Sequence, residues 1–342
     1  MTCRCETALA TAAGHQDIPG ILLRRESMDT VLYDSNSWRD LEGLAWPKGL
    51  GRKTLSHRLL VLIGDEAEWC APVAHAIALA CHTGAELRFL SVLTAQLLCS
   101  MPEMMGAAAV DVASVTELSA QRLAWAVSIA EEAGVRCTSS LRWGSLSEIV
   151  RHTAEVEACD LIVMGPDVGL GWEHLLGGCL TRQVALKARR PVLVVKTSPA
   201  PQSSPASWRR IAVVIDGSPE ADAAVEYALM LAQDGDCAVS FLPLEGLWRT
   251  AATRIRDACM LAAAQAATVG VRYDVHRVTG RTATAILDTA ASHQSEVMIL
   301  GLSIDTWWRN LLGGSLAKTF ISWSTCPVLF VPSAATSVPV PS

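Results

Sequence analysis

The chain has 342 residues, of which 51% are hydrophobic and 18% charged, with a formal net charge of −6. That balance belongs to a globular protein, and an acidic surface works against sequence-independent nucleic-acid binding, which needs basic groups to neutralise phosphates. No uncharged apolar run reaches the roughly 18 residues of a membrane span, so neither nucleic acid nor membrane is an expected partner.

Taken in chain order, residues 1–56 mix charges, Gly and Trp without a sustained period and form an N-terminal extension of unassigned role. Met1-Thr-Cys-Arg-Cys-Glu6 lacks the basic start, apolar core and cleavage site of a secretory signal, which makes cytoplasmic location the expectation. Leu59 to Ile63 is a continuous apolar run, as for a strand covered on both faces of a parallel sheet. Pro72 then opens a helix whose buried stripe is Val73, Ile77, Ala80 and Cys81. Arg88 to Leu93 is a second strand, followed by a Met- and Ala-rich stretch around 95–116. Val135 to Leu141 is a third strand, Asp160-Leu-Ile-Val-Met-Gly165 a fourth and Pro191-Val-Leu-Val-Val195 a fifth. Residues 197–207, rich in Pro and Ser, form a linker.

The pattern then restarts. Ile211 to Ile215 is a first strand, and Ser218-Pro219 supplies a cap and a first-turn proline to a helix with Val225, Ala228, Leu229 and Ala232 on one face. Val239 to Leu244, Val271 to Val278, Glu296-Val-Met-Ile-Leu-Gly301 and Pro327-Val-Leu-Phe-Val331 complete the set, and 334–342 is a tail. Gly134-Val-Arg136, Gly144, Gly165, Leu175-Leu-Gly-Gly178 and Pro191 all recur 136 residues later. A fixed offset through loops and strands means a duplicated domain. The first strands lie 152 residues apart, so copy one carries an insertion, placed at 95–116. Successive βα units imply an α/β fold of two tandem open parallel five-stranded sheets with helices on both faces, in domains at 57–196 and 208–333.

The eleven cysteines are scattered through apolar patterns, without a CxxC pair or zinc spacing, so reduced core residues and no metal are expected. No nucleophile, base and acid arrangement, Walker loop or GxGxxG following strand one stands out, which favours a binding module over an enzyme. Ligands of doubly wound sheets sit beyond the strands' carboxyl ends where chain order reverses. In copy two those ends are Asp216-Gly-Ser218 and Leu300-Gly301, with Gly314-Ser315 at a later helix start. Glycines admit a phosphate to the backbone, and a helix N-terminus offers unpaired N–H groups.

These residues resemble the universal stress protein (UspA) family in tandem form. The resemblance rests on Ile211-Ala-Val-Val-Ile-Asp-Gly-Ser218, Gly280, Val-Met-Ile-Leu-Gly301, Leu-Leu-Gly-Gly-Ser315 and Cys326-Pro-Val-Leu-Phe-Val331. It implies the adenine nucleotide alpha hydrolase-like fold and a stress-response binding or regulatory role with unidentified protein partners. It also implies an adenine-nucleotide site for ATP, AMP or adenosine. By the family's motif, the site in copy two comprises Val214, Ile215, Asp216, Leu244, Leu300, Gly301, Gly314 and Ser315. Gly165, Gly178 and Cys179 form a weaker counterpart in copy one.

Both copies depart from the pattern. ATP-binding members carry a Gly-x-x-Gly step, whereas Ile304 and Val168 stand at the second glycine, with Asp305 and Asp167 beside them. A β-branched residue resists positive φ and obstructs a phosphate, and a carboxylate repels it. The site is therefore read as degenerate, better kept in copy two. An ATP-gated switch or weak nucleotide hydrolase is one alternative, and redox sensing by Cys179 another, although a buried small hydrophobe is the simpler account of that thiol. In the family, fifth strands pair across a twofold axis, so Val192–Val195 and Val328–Val331 should pair within the chain as a pseudo-dimer, with a further homodimer allowed.

Overall fold

A computed structural model describes residues 58–64, 69–94, 112–166, 184, 187–196, 208–235, 237–244, 252–278, 283–302, 320 and 323–332. The extension 1–56, the linker 197–207, the tail 334–342 and all of the inserted stretch before residue 112 lie outside them.

In the first copy the elements are β1 (Arg58–Leu62), α1 (Cys70–Thr83), β2 (Glu86–Leu93), α2 (Val112–Glu132), β3 (Cys137–Trp143), α3 (Leu146–Val156), β4 (Leu161–Met164) and β5 (Val192–Val194). The second has β6 (Arg210–Ile215), α4 (Pro219–Gly235), β7 (Ala238–Pro243), α5 (Ala252–Val269), β8 (Arg272–Val275), α6 (Ala283–Ser292), β9 (Val297–Leu302) and β10 (Val328–Pro332). The two five-stranded sheets are joined into one of ten strands, ordered β3-β2-β1-β4-β5-β10-β9-β6-β7-β8. Every neighbouring pair is parallel except β5 and β10, which run antiparallel.

That exception is the expected pairing of fifth strands, and its register is symmetric. Leu329 faces Leu193, Val328 faces Val194 and Phe330 faces Val192. Leu193 and Leu329 are equivalent by the 136-residue offset, and the flanking pairs exchange under the same relation. A local twofold axis, perpendicular to the sheet, thus passes between the two leucines. A small apolar recess lies over them, lined by Leu79 and Leu231 with Trp208 and Tyr227.

The alternation of side chains splits the core into two layers. Leu59, Val61, Leu193, Val213 and Leu329 belong to the layer that contains the inner faces of α1, α2, α4 and α5. Leu60, Leu62, Val192, Val214 and Phe330 belong to the other, with α3 and α6. The helical stripe expected in α4 is buried, from Val225 through Ala232. In α1 Val73, Ile77 and Ala80 are buried and Cys81 half-buried, but the helix begins at Cys70, ahead of Pro72. Asp160 and Glu296, which open the repeated fourth-strand runs, act alike. Asp160 Oδ2 accepts the Arg58 amide at 3.1 Å, and Glu296 Oε2 accepts the amides of Arg209 and Arg210.

The third strands are shorter or later than their sequences suggest. Val135 and Val271 belong to helix ends, because their amides donate back to Ala130 O and Ala266 O while Gly134 and Gly270 adopt left-handed φ of 75°. β8 ends at Val275, before Val278. The residues expected to belong to the insertion from Val112 to Thr116 are the first turn of α2.

The copies differ where α3 and α6 end. Arg88 Nε pairs with Glu157 Oε2 at 2.9 Å in copy one. The equivalents of these positions are Ser240 and His293, and there His293 stacks on His276, ring centroids 3.4 Å apart. His276 Nε2 lies 3.0 Å from Asp274 Oδ1.

His75, on α1, has Nδ1 3.1 Å from the Ala71 carbonyl oxygen, while its Nε2 is sealed from solvent without a hydrogen-bond partner. Burial, partly offset by the Ala71 bond, pushes its pKa from 6.5 down to about 4. The unfolded chain then binds a proton that the folded one refuses, so the stabilising contribution is complete above pH 6.5 and is lost as pH falls toward 4. Urea unfolding between these limits should show a loss on the order of 2 kcal/mol that His75→Phe removes; an unchanged pH slope in the variant would contradict this.

Candidate functional site

At the carboxyl end of β6, Val214 and Ile215 are buried, and Leu244 is anchored beside them by its amide, which donates to Ile215 O at 2.9 Å. Asp216 follows, half-buried. Its Oδ1 accepts the Ser218 amide at 2.9 Å and the Ser218 hydroxyl at 2.6 Å. Ser218 Oγ in turn accepts the Ala221 amide at 3.2 Å, which makes Ser218 the expected cap of α4. Asp216 therefore has a structural duty in the turn. A carboxylate has about four acceptor positions, and those two donors leave capacity for a ligand hydroxyl or amine.

Gly217 has φ of +75°, and the side chain of Arg254, at the start of α5, lies 3.3 Å from where a Cβ would stand. Burial and then the Asp216 carboxylate raise the Asp222 pKa. Asp216, Glu220 and Asp222 thus concentrate negative charge at this end of domain two. Among the described residues no group of three or more His, Cys, Asp or Glu side chains is arranged to hold a metal.

Gly301 ends the buried run of β9 after Leu300. A Cβ there would lie 2.6 Å from the Ala221 amide nitrogen and nearer still to the Glu220 carbonyl. The glycine lets the first turn of α4 rest directly on the strand end, so its identity is fully accounted for by helix packing. The structure brings Val214, Ile215, Asp216, Leu244, Leu300 and Gly301 to the carboxyl ends of strands in one domain. Gly314 and Ser315 lie outside the described residues, as do Ile304 and Asp305.

In domain one Gly165 is buried at the end of β4, and Gly178, Cys179, Val168 and Asp167 lie outside the described residues. The carboxyl end of β1 carries features that motif reading passes over. Arg122 Nη1 donates to Gly64 O at 3.1 Å, and Trp69 meets Trp125 edge to face at 4.8 Å. Burial, countered by the Arg122 charge, pushes the Cys70 thiol up to about 12. The signal that could have found them is a comparison of the copies: Trp69, Cys70, Arg122 and Trp125 correspond to Ala221, Asp222, Ala258 and Leu261.

A duplicated, doubly wound sheet closed by paired fifth strands, with a carboxylate and a close-packed glycine at the strand ends, defines a tandem α/β class of protein. The model of the universal stress protein family matches residues 56–196 and again 207–332, and the chain belongs to that family. A universal stress protein from Archaeoglobus fulgidus is similar over 82% of this chain and 97% of its own, with 18% identity and a TM-score of 0.57. A putative universal stress protein from Pseudomonas aeruginosa is similar over 82% and 95%, with 19% identity and a TM-score of 0.50. Such identities speak for the fold alone. A universal stress protein in complex with cAMP matches 42% of this chain at a TM-score of 0.31, and that ligand is a fact about that protein. No curated protein sequence matches the chain.

Replacing Gly301 by alanine should cost about 1–3 kcal/mol in chemical denaturation, because overpacking must displace the α4 backbone. Ser218→Ala should cost about 1 kcal/mol through loss of the cap. A Gly301→Ala protein as stable as the parent would refute the close approach.

Proposed function

We propose that the protein is a stress-response regulatory module that binds an adenine nucleotide at the carboxyl ends of β6 and β9 in domain two. One observation carries the reading: Asp216 is fixed by Ser218 at the end of β6, with acceptor capacity to spare for a ribose hydroxyl or the adenine amine. The buried edge formed by Val214, Ile215 and Leu244 supplies apolar surface against which a base can lie.

Asp216, Glu220 and Asp222 outnumber Arg254 beside Gly217, which favours AMP or adenosine over ATP. Ile304, where the family's ATP-binding members keep a glycine, points the same way. The protein acts in this reading as a sensor for protein partners rather than as an enzyme. Among the described residues Cys70, Cys81, Cys137, Cys159, Cys237, Cys259 and Cys326 form no disulfide, which suits a reducing cytoplasm. Among the described residues no helix is long and apolar enough to cross a membrane.

Calorimetric titration with adenosine, AMP, ADP and ATP, with and without Mg²⁺, tests this. Saturable binding is expected, strongest for AMP or adenosine, and Asp216→Ala should weaken it about tenfold or more. Absence of saturable binding by all four ligands would sink the proposal and leave a scaffold without a nucleotide.

A further inference from the structure

We propose that the crevice of domain one is closed by its own side chains, so that each chain holds a single adenine nucleotide, in domain two; the stoichiometry rests on the nucleotide reading above. In domain one, the place equivalent to the proposed site is occupied from two helices. Arg122, on α2, reaches the carboxyl end of β1 and donates to the Gly64 carbonyl at 3.1 Å. Gly64 is the counterpart of Asp216, so where domain two presents a carboxylate with acceptor capacity to spare, domain one has no side chain and an arginine reaching its backbone carbonyl.

Trp69, at the entry to α1, and Trp125, on the same helix as Arg122, close the pair of helices over this end. Their ring centroids lie 4.8 Å apart at an interplanar angle of 80°, the edge-to-face arrangement that aromatic pairs prefer. Both indoles pack against the core layer shared by α1 and α2. Cys70, next to Trp69, is near enough to Arg122 to feel its charge. A base entering here would have to push the two indoles apart, and the Arg122 side chain is held against the strand end by its bond to the Gly64 carbonyl.

Domain two has none of this bulk. Its equivalents are Ala221 for Trp69, Asp222 for Cys70, Ala258 for Arg122 and Leu261 for Trp125. Leu261 is 55% exposed. Arg254 of α5 stands one turn earlier than Ala258, exposed beside Gly217. Among the described residues, Trp69, Arg122 and Trp125 of domain one thus stand where domain two has the smaller Ala221, Ala258 and Leu261.

Two measurements on the full chain test the proposal. Equilibrium dialysis with radiolabelled AMP should saturate at one equivalent per chain, and an azido-adenine photoprobe should label peptides of domain two alone. Two equivalents, or label in peptides spanning 58–94 or 112–166, would overturn it. Independently of any nucleotide, Cys70 should react with N-ethylmaleimide at least about tenfold more slowly in the native than in the unfolded chain, followed by peptide mass spectrometry. Trp125→Ala should bring that ratio to within about threefold, with Arg122→Ala as the second variant should the first fail to fold. A Cys70 that labels equally fast native and unfolded overturns the closure. A protected Cys70 with no nucleotide bound anywhere supports the closure and overturns the nucleotide reading instead.

Discussion

The antiparallel contact between β5 and β10 is the constraint on which the rest of the structure depends. Each copy alone would present the backbone donors and acceptors of its fifth strand at an open edge, beside a core layer only half covered. Joining those edges satisfies both rows of backbone groups at once and makes two five-stranded sheets into one of ten. The register is centred on Leu193 and Leu329, so each strand meets its own counterpart and the apolar recess above is walled by the equivalent residues Leu79 and Leu231. The symmetric core explains why the repeated endings are so alike: they must fit each other as well as their own domains.

Away from that axis the copies have separated. Copy one secures the end of α3 with an ion pair from Arg88 to Glu157, where copy two stacks His276 and His293. Copy one sets Arg122 on the Gly64 carbonyl and Trp69 against Trp125, where copy two holds Asp216 through Ser218. A homodimer would repeat any change on both sides of its axis. Duplication within one chain removes that obligation, and the two halves can differ in what they present at their strand ends.

Much of the fold was legible because the central strands are covered on both faces and read as uninterrupted apolar runs, such as Leu59 to Ile63 and Ile211 to Ile215. The outer strands were less so. β8 is exposed along its whole length, and the Gly-Val pairs before β3 and β8 look like strand starts although hydrogen bonds assign the valines to helix ends. The strand ends and glycines of the candidate site were legible as positions in the sheet, but the reason for Gly301 lay in the approach of the Glu220 backbone. The occupants of domain one's crevice come from separate elements, and no local pattern joins Trp69 to Trp125 or Arg122 to Gly64. Only position-by-position comparison of the two halves exposes them.

The placement of the twofold axis inside one chain also frees the assembly from mass action. Two separate subunits joined through fifth strands would come apart as their concentration fell, and an exposed strand edge would reappear on each. Here the partner strand is covalently tethered, so its effective concentration does not depend on how much protein the cell contains. Among the described residues β3 and β8 are then the sheet's outermost strands. The paired architecture persists at any dilution, from the first copy synthesised onward.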